Sequence, residues 1–104
     1  MRRASGEVEV LWVSSFIEAM GHLRTHDFDA MLLDLSLPDS EGIESIRRVS
    51  DRADIPIIAL TKESMGGAGV DALLAGAEDS FVKDRVNSQN IIRAVHYAIA
   101  RHRR

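Results

Sequence analysis

Ala30-Met31-Leu32-Leu33-Asp34-Leu35-Ser36-Leu37-Pro38-Asp39-Ser40-Glu41-Gly42 is an apolar run that ends in a carboxylate and turns at once into a polar loop holding a proline and a glycine. Such a run between turn signals reads as a strand buried on both faces, where a charge is rare without a partner or a task. A carboxylate at the C-terminal end of that strand stands where open parallel sheets place their ligands. Asp34 is therefore the first candidate site residue.

Working outward, Val8 to Val13, Ile57 to Thr61 and Phe81 to Lys83 are also strand-type runs, and each of the runs, Ala30 to Leu35 included, precedes a segment with helical spacing. The order is βαβαβαβα. It predicts an α/β fold, a three-layer, doubly wound parallel sheet of four strands joined by right-handed crossovers. Ser15 with Glu18 makes a capping box for the first helix, whose apolar face is Phe16, Ala19, Met20 and Leu23. Asp39 or Ser40 is the expected cap of the second, which buries Ile43, Ile46 and Val49 and stops before Pro56. The third carries Val70, Leu73, Leu74 and Ala77 as its stripe, behind a mobile loop rich in glycine from Gly66 to Gly69. Asn87 caps the last helix, Val86 and Ile91 form a staple, and Ile91, Ile92, Val95, Ala98 and Ile99 face the core.

With 104 residues the chain fits one domain over residues 1–104 and no second. It has no cysteine, which excludes a disulfide framework, a thiolate metal site and a cysteine nucleophile. No apolar run reaches the roughly 18 residues that span a bilayer, and Met1-Arg2-Arg3 leads into no signal-peptide core. The expectation is a cytoplasmic protein with no membrane partner. A net charge of -3 gives no pull toward nucleic acid, and the basic end, Arg101 to Arg104, reads as a solvated helix terminus or a cut linker.

Parallel pairing sends all strand ends to one rim, where Asp34, Thr61 and Lys83 end successive strands. A carboxylate, a hydroxyl and an ammonium converging on one point suit an oxyanion: the carboxylate as nucleophile, the other two as donors to the oxygens of the group attached. That is phosphoryl chemistry, which asks a protein mainly to position groups and neutralise charge. Taken singly, each residue has an ordinary structural use in a turn, a strand end or a solvated surface. The registered trio is the more specific signal.

Leu32 to Gly42, Ile57-Ile58-Ala59-Leu60-Thr61 and Ala75-Gly76-Ala77-Glu78-Asp79-Ser80-Phe81-Val82-Lys83 resemble the receiver domains of two-component response regulators, and the likeness runs over nearly the whole chain. It implies a flavodoxin-like, CheY-like fold and a signalling module rather than an enzyme. By that likeness Asp34 is the phosphoacceptor, Thr61 the hydroxyl that follows the phosphoryl group and Lys83 its charge partner, with a histidine kinase or phosphotransfer protein as donor. Receivers open with a further strand ending in an acidic pair, then a first helix, and this chain has neither. The acidic pair holds magnesium together with the acceptor and the backbone carbonyl two residues on, so Asp34 and Ser36 alone remain as metal ligands and weak magnesium binding is expected. Ser80 stands at the family's switch aromatic position with Phe81 beside it. Asp84 replaces the proline that often follows the lysine.

The absent strand lies mid-sheet in the family, between the strands matching Val8 to Val13 and Ala30 to Leu35. Those two strands could pair directly, or a homodimer could complete the sheet, since unpaired apolar edges invite association. Two functions follow from the resemblance: a phosphorylated receiver with impaired activity, or a phosphorylation-independent pseudo-receiver acting as an interaction and dimerisation module. A third, a nucleotide-binding domain, rests on Gly67-Ala68-Gly69-Val70-Asp71-Ala72, which matches G-x-G-x-x-A but does not directly follow its strand. His22 and His26 have metal-ligand spacing without a third ligand and read as solvated. Trp12 and Phe16 read as packing residues.

Overall fold

A computed structural model describes residues 15–102. The expected strand at Val8 to Val13, together with Trp12, lies outside the described residues. In chain order the elements are α1 (Phe16–Thr25), β1 (Met31–Asp34), α2 (Ile43–Arg52), β2 (Ile57–Thr61), a short 3-10 turn (Glu63–Met65), α3 (Ala68–Leu74), β3 (Asp79–Val82) and α4 (Ser88–His102). The strands form one parallel sheet in the order β1-β2-β3. Met31 to Asp34 pair with Ile57 to Leu60, and Ile58 to Thr61 pair with Asp79 to Val82. The last strand thus ends at Val82, one residue earlier than expected, and begins two residues before Phe81.

The two faces of the sheet carry separate cores. Leu33, Leu35, Ile57 and Ala59 pack with Phe16 and Met20 of α1, Ile46 and Val49 of α2, and Ala72 of α3. Ile58 faces the other way, onto Ala94 and Ala98 of α4, with Phe81 and Val95 against them. Only the middle strand is covered on both faces. β2 is buried along most of its length, whereas in β1, expected to be buried on both faces, Leu33 is buried and Leu32 is 38% exposed, because among the described residues α4 packs over β2 and β3 and leaves that face of β1 open.

Local chemistry explains most boundaries. Ser15 is the N-cap of α1, its Oγ accepting from the Glu18 amide at 3.1 Å. The Asn87 side chain accepts from the Asn90 amide at 2.8 Å at the start of α4. The cap of α2 is a correction. It is Gly42, at φ 63°, a left-handed conformation that costs glycine little. Ser40 stands two residues back, where its Oγ accepts from the Gly42 amide at 3.0 Å, and Asp39 is used elsewhere.

The stripe of α3 is a second correction. Val70, Leu73 and Leu74 are 64%, 46% and 81% exposed, and the buried contact comes from Ala72. Against the sheet α3 seats a small residue, which lets a seven-residue helix lie close and leaves its larger apolar side chains outside. Ile92 of α4 is likewise half exposed, while Ala98 and Ile99 are buried as expected. The glycine-rich segment expected as a loop is the turn Gly66-Gly67 followed by the first residues of α3.

Candidate functional site

Two backbone hydrogen bonds beyond the strand ends build the rim. The Leu35 amide donates to the Leu60 carbonyl at 2.9 Å, and the Lys83 amide donates to the Thr61 carbonyl at 2.8 Å. Each continues the parallel ladder by one residue. Lys83 is therefore held at the rim although it lies outside β3.

From that position the Lys83 Nζ donates to Asp34 Oδ2 at 2.8 Å. The other carboxylate oxygen, Oδ1, accepts from the Ser36 amide at 2.9 Å and from the Ser36 hydroxyl at 2.6 Å. Lys83 also reaches the Ser36 Oγ at 3.2 Å, which closes a three-residue network. Burial pushes the Asp34 carboxyl up, but the hydrogen bonds from Lys83 and Ser36 and the Lys83 charge outweigh it and hold the group below its ordinary value. Asp34 is thus a fixed, ionised carboxylate at a partly open strand end.

Asp34, Ser36 and Lys83 are brought into direct contact. Thr61 is at the end of the neighbouring strand, 3% exposed, with its Oγ1 donating to the Phe81 carbonyl at 3.5 Å. The two residues at the switch position separate. Ser80 donates from its Oγ to the Gly69 carbonyl of α3 at 3.3 Å, whereas Phe81 packs in the α4 core on the opposite face. The hydroxyl at position 80 thus ties β3 to α3.

The sequence points to Ser36 only through its backbone carbonyl, whereas its amide and hydroxyl are donors to Asp34. The signal was present: an aspartate commonly accepts from the amide two residues on in an Asx turn, and a serine there adds its hydroxyl. The loop continues as two turns, Leu37 donating to the Asp34 carbonyl and Ser40 to the Leu37 carbonyl at 2.9 Å.

Hard divalent cations take about six oxygen ligands, several of them carboxylate or carbonyl. Among the described residues no group of three histidine, aspartate or glutamate side chains could hold a metal. Around Asp34 the described residues supply one carboxylate, and both of its oxygens are already hydrogen-bonded. They do not fit a magnesium cage. His22 and His26 lie with ring centroids 5.6 Å apart, and the His26 Nδ1 is 2.8 Å from the Thr25 hydroxyl. The glycine fingerprint falls within α3 and the turn before it, separated from β2 by the 3-10 turn, so it is no strand-to-helix phosphate loop.

A parallel sheet with helices on both faces and an Asp-Lys pair at its C-terminal rim can be compared with known proteins. The response regulator receiver domain family matches residues 2–96. The chain belongs to this family. This receiver is similar to the swarming motility regulation protein RssB of Serratia marcescens, with 39% identity over 75 residues, covering 69% of the chain and 33% of that protein. It is 36% identical over 94 residues to the DNA-binding transcriptional activator DevR/DosR of Mycobacterium tuberculosis, covering 88% of the chain and 43% of that protein. The chain thus spans less than half the length of either relative. Among solved structures, the receiver domain of the sensor histidine kinase PA1611 from Pseudomonas aeruginosa PAO1 superposes with a TM-score of 0.73 at 27% identity, covering 88% of this chain and 77% of that one. That structure has a magnesium ion coordinated in its active-site cleft.

Proposed function

We propose that this receiver accepts a phosphoryl group on Asp34 from the phosphohistidine of a histidine kinase or phosphotransfer protein. The observation that carries this is the Asp34 carboxylate held between Lys83 and Ser36 at the sheet's C-terminal rim. In the transfer an Asp34 oxygen forms the P–O bond as the donor's P–N bond breaks, and the imidazole nitrogen leaves with the electron pair. Lys83, already on Oδ2, offsets the charge of the incoming group, and Thr61 supplies a hydroxyl from the adjoining strand end. Magnesium belongs to the family's chemistry, but weak binding is the expectation here and no step above depends on it.

The alternative is a pseudo-receiver that uses the same fold as an interaction or dimerisation module. It is favoured by the saturated state of Asp34: both oxygens have partners, and among the described residues no group of three carboxylate or histidine side chains could hold a cation. A homodimer that completes the sheet fits either reading, as does a cytoplasmic setting. Among the described residues no helix is long and apolar enough to cross a membrane.

Incubation with a small acyl phosphate, with and without magnesium, followed by intact-mass measurement separates the two. A labile phosphoryl adduct that disappears in Asp34→Asn supports the acceptor role. An unmodified wild-type mass under both conditions supports the pseudo-receiver.

A further inference from the structure

The Asp39 side chain is five residues beyond Asp34 and is bonded outside its own loop. Its Oδ1 accepts from the Phe16 amide at 2.7 Å and its Oδ2 from the Ile17 amide at 2.9 Å. These are two of the N-terminal amides that a helix leaves without internal partners. Ser15 serves the next amide, that of Glu18, so the first turn of α1 is satisfied jointly by its own cap and by the acceptor loop.

A second tie runs between the same two regions. Glu41, at the far end of the loop, pairs with Arg48 at 3.1 Å, and the Arg48 guanidinium lies over the Phe16 ring, 5.2 Å from its centroid. Phe16 is therefore gripped at its amide by Asp39 and on its ring by Arg48, while the ring itself is buried in the core beneath β1.

Between Asp34 and Asp39 the chain has little slack. The Asp34 side chain and carbonyl accept from Ser36 and Leu37, Leu37 accepts from Ser40, and Leu35 is buried. Beyond Asp39, the Ser40 and Ser45 hydroxyls lie 3.2 Å apart, and the Glu41 amide donates to the fully buried Ser45 Oγ at 2.8 Å. A segment bonded at nearly every residue moves as a unit. A shift at its Asp34 end is passed to its Asp39 end instead of being absorbed in torsions.

We infer that Asp39 is a positioning residue that couples the acceptor loop to the first turn of α1, so that the charge state of Asp34 is read out at Phe16 and Ile17. The inference rests on the acceptor reading for its biological use. Its physical content concerns the Asp34 charge alone. An acyl phosphate at Asp34 converts the carboxylate into a neutral carbonyl carrying its charge on the phosphoryl oxygens. Ser36 then loses an ionised acceptor, and its two bonds to Oδ1 weaken and re-form in a new direction. The loop carries that change to Asp39, and Asp39 to α1.

A double-mutant cycle tests the coupling, with Asp34→Asn standing for the uncharged acceptor. Amide proton and nitrogen resonances of Ser36, Phe16 and Ile17 are measured in the wild type, Asp34→Asn, Asp39→Ala and the double variant. Asp34→Asn is expected to move all three in the wild-type background. In the Asp39→Ala background the Ser36 change persists and the changes at Phe16 and Ile17 fall at least threefold. A purely structural cap would shift those amides by the same amount whatever stands at position 34. Equal changes with and without Asp39, or unmoved Phe16 and Ile17 amides in Asp34→Asn, overturn the inference. If Asp39→Ala does not fold, Asp39→Asn, which keeps one acceptor oxygen, runs the same cycle and must reduce the change at one of the two amides. Absence of a phosphoryl adduct by intact mass overturns the acceptor reading and leaves this cycle standing, so the two failures are told apart.

Discussion

The two ends of the sheet each set nitrogen-bearing side chains against carboxylates, and they are built differently. At the C-terminal rim Lys83 meets Asp34 at 2.8 Å, with Ser36 donating to the same carboxylate from two atoms. At the opposite end, the last turn of α4 sets His102 between Asp54 before β2, at 2.8 Å, and Glu78 before β3, at 3.6 Å, with Arg101 3.8 Å from the same Glu78. The Asp34 side chain is 23% exposed, whereas that of Asp54 is 99% exposed. At the rim several donors converge on one partly buried carboxylate. At the base an arginine and a titratable histidine are spread over two carboxylates, one of them fully in water. Convergence on a partly desolvated group is what gives fixed charges chemical leverage, and a dispersed, wet pair chiefly holds a helix end in place.

Removing the rim cation is the harshest way to break this contrast. Lys83→Met keeps the length of the side chain and deletes the ammonium that pairs with Asp34 and, in the proposed function, offsets an incoming phosphoryl group. Phosphoryl adduct formation should fall by about 100- to 1000-fold, in keeping with the loss of one preorganised donor at a reacting oxyanion. The Asp34 carboxyl should titrate at a higher pH than in the wild type, since burial then acts with Ser36 as the main opposition. Side-chain carbon NMR follows that titration. An unchanged Asp34 titration would place Lys83 outside the site's electrostatics.

Acid should act first on the rim region. Hydrogen bonds from the Phe16 and Ile17 amides hold the Asp39 carboxyl below its ordinary value, and Asp34 is depressed as well. A group whose folded pKa lies below its unfolded value contributes stability that is present above the unfolded value and lost as pH falls through the folded one. Thermal melts from pH 6 downward should therefore show a loss of stability beginning near the ordinary carboxylate value of 3.8 and continuing below it. Asp39→Asn should flatten that slope and lower the melting temperature at neutral pH. A slope identical to that of the wild type would show that the two amide bonds do not persist in solution.

How much of this was legible in the sequence follows from the range of each interaction. Asp34, Thr61 and Lys83 could be placed at one rim because strand registry is written in period-2 patterns and the parallel order in the alternation of elements. The caps from Ser15 and Asn87 were legible because a cap and its amide are three residues apart. Asp39 was misassigned to α2 for the opposite reason: its partners, Phe16 and Ile17, are 23 and 22 residues away, so local capping rules chose a neighbour that tertiary structure overrode. On α3, Val70, Leu73 and Leu74 fit an apolar stripe by spacing, yet the helix turned Ala72 inward, because the distance between helix and sheet decides which side chain fits. Ser36 carried an unread signal, and Ser80 and Phe81 divided between the faces of the sheet as their alternation required. The base cluster was invisible, since Asp54, Glu78 and His102 sit in loops and a helix end with no shared periodicity.

That base cluster offers the mildest test of the contrast. The hydrogen bond to Asp54 raises the His102 pKa above its ordinary 6.5, burial opposes this, and Glu78 adds to the rise. Arg101 on the same helix competes for Glu78, and Asp29 lines the same shallow cavity with Phe28, Pro56 and Ile99. With the folded pKa raised, the stabilisation is complete below the unfolded value near 6.5 and is lost as pH rises through the folded value. His102→Gln should therefore lower stability at pH 5.5 and leave it nearly unchanged at pH 8.5, by no more than about 1 kcal/mol, the range of solvent-exposed pairs. Denaturant melts at the two pH values read the difference, and 0.5 M salt should shrink it. A loss as large at pH 8.5 as at pH 5.5 would mean that His102 holds α4 by packing, making the base as fixed as the rim. A loss confined to low pH keeps the two ends distinct: a convergent, partly buried network at one, and a screened, titratable clasp at the other.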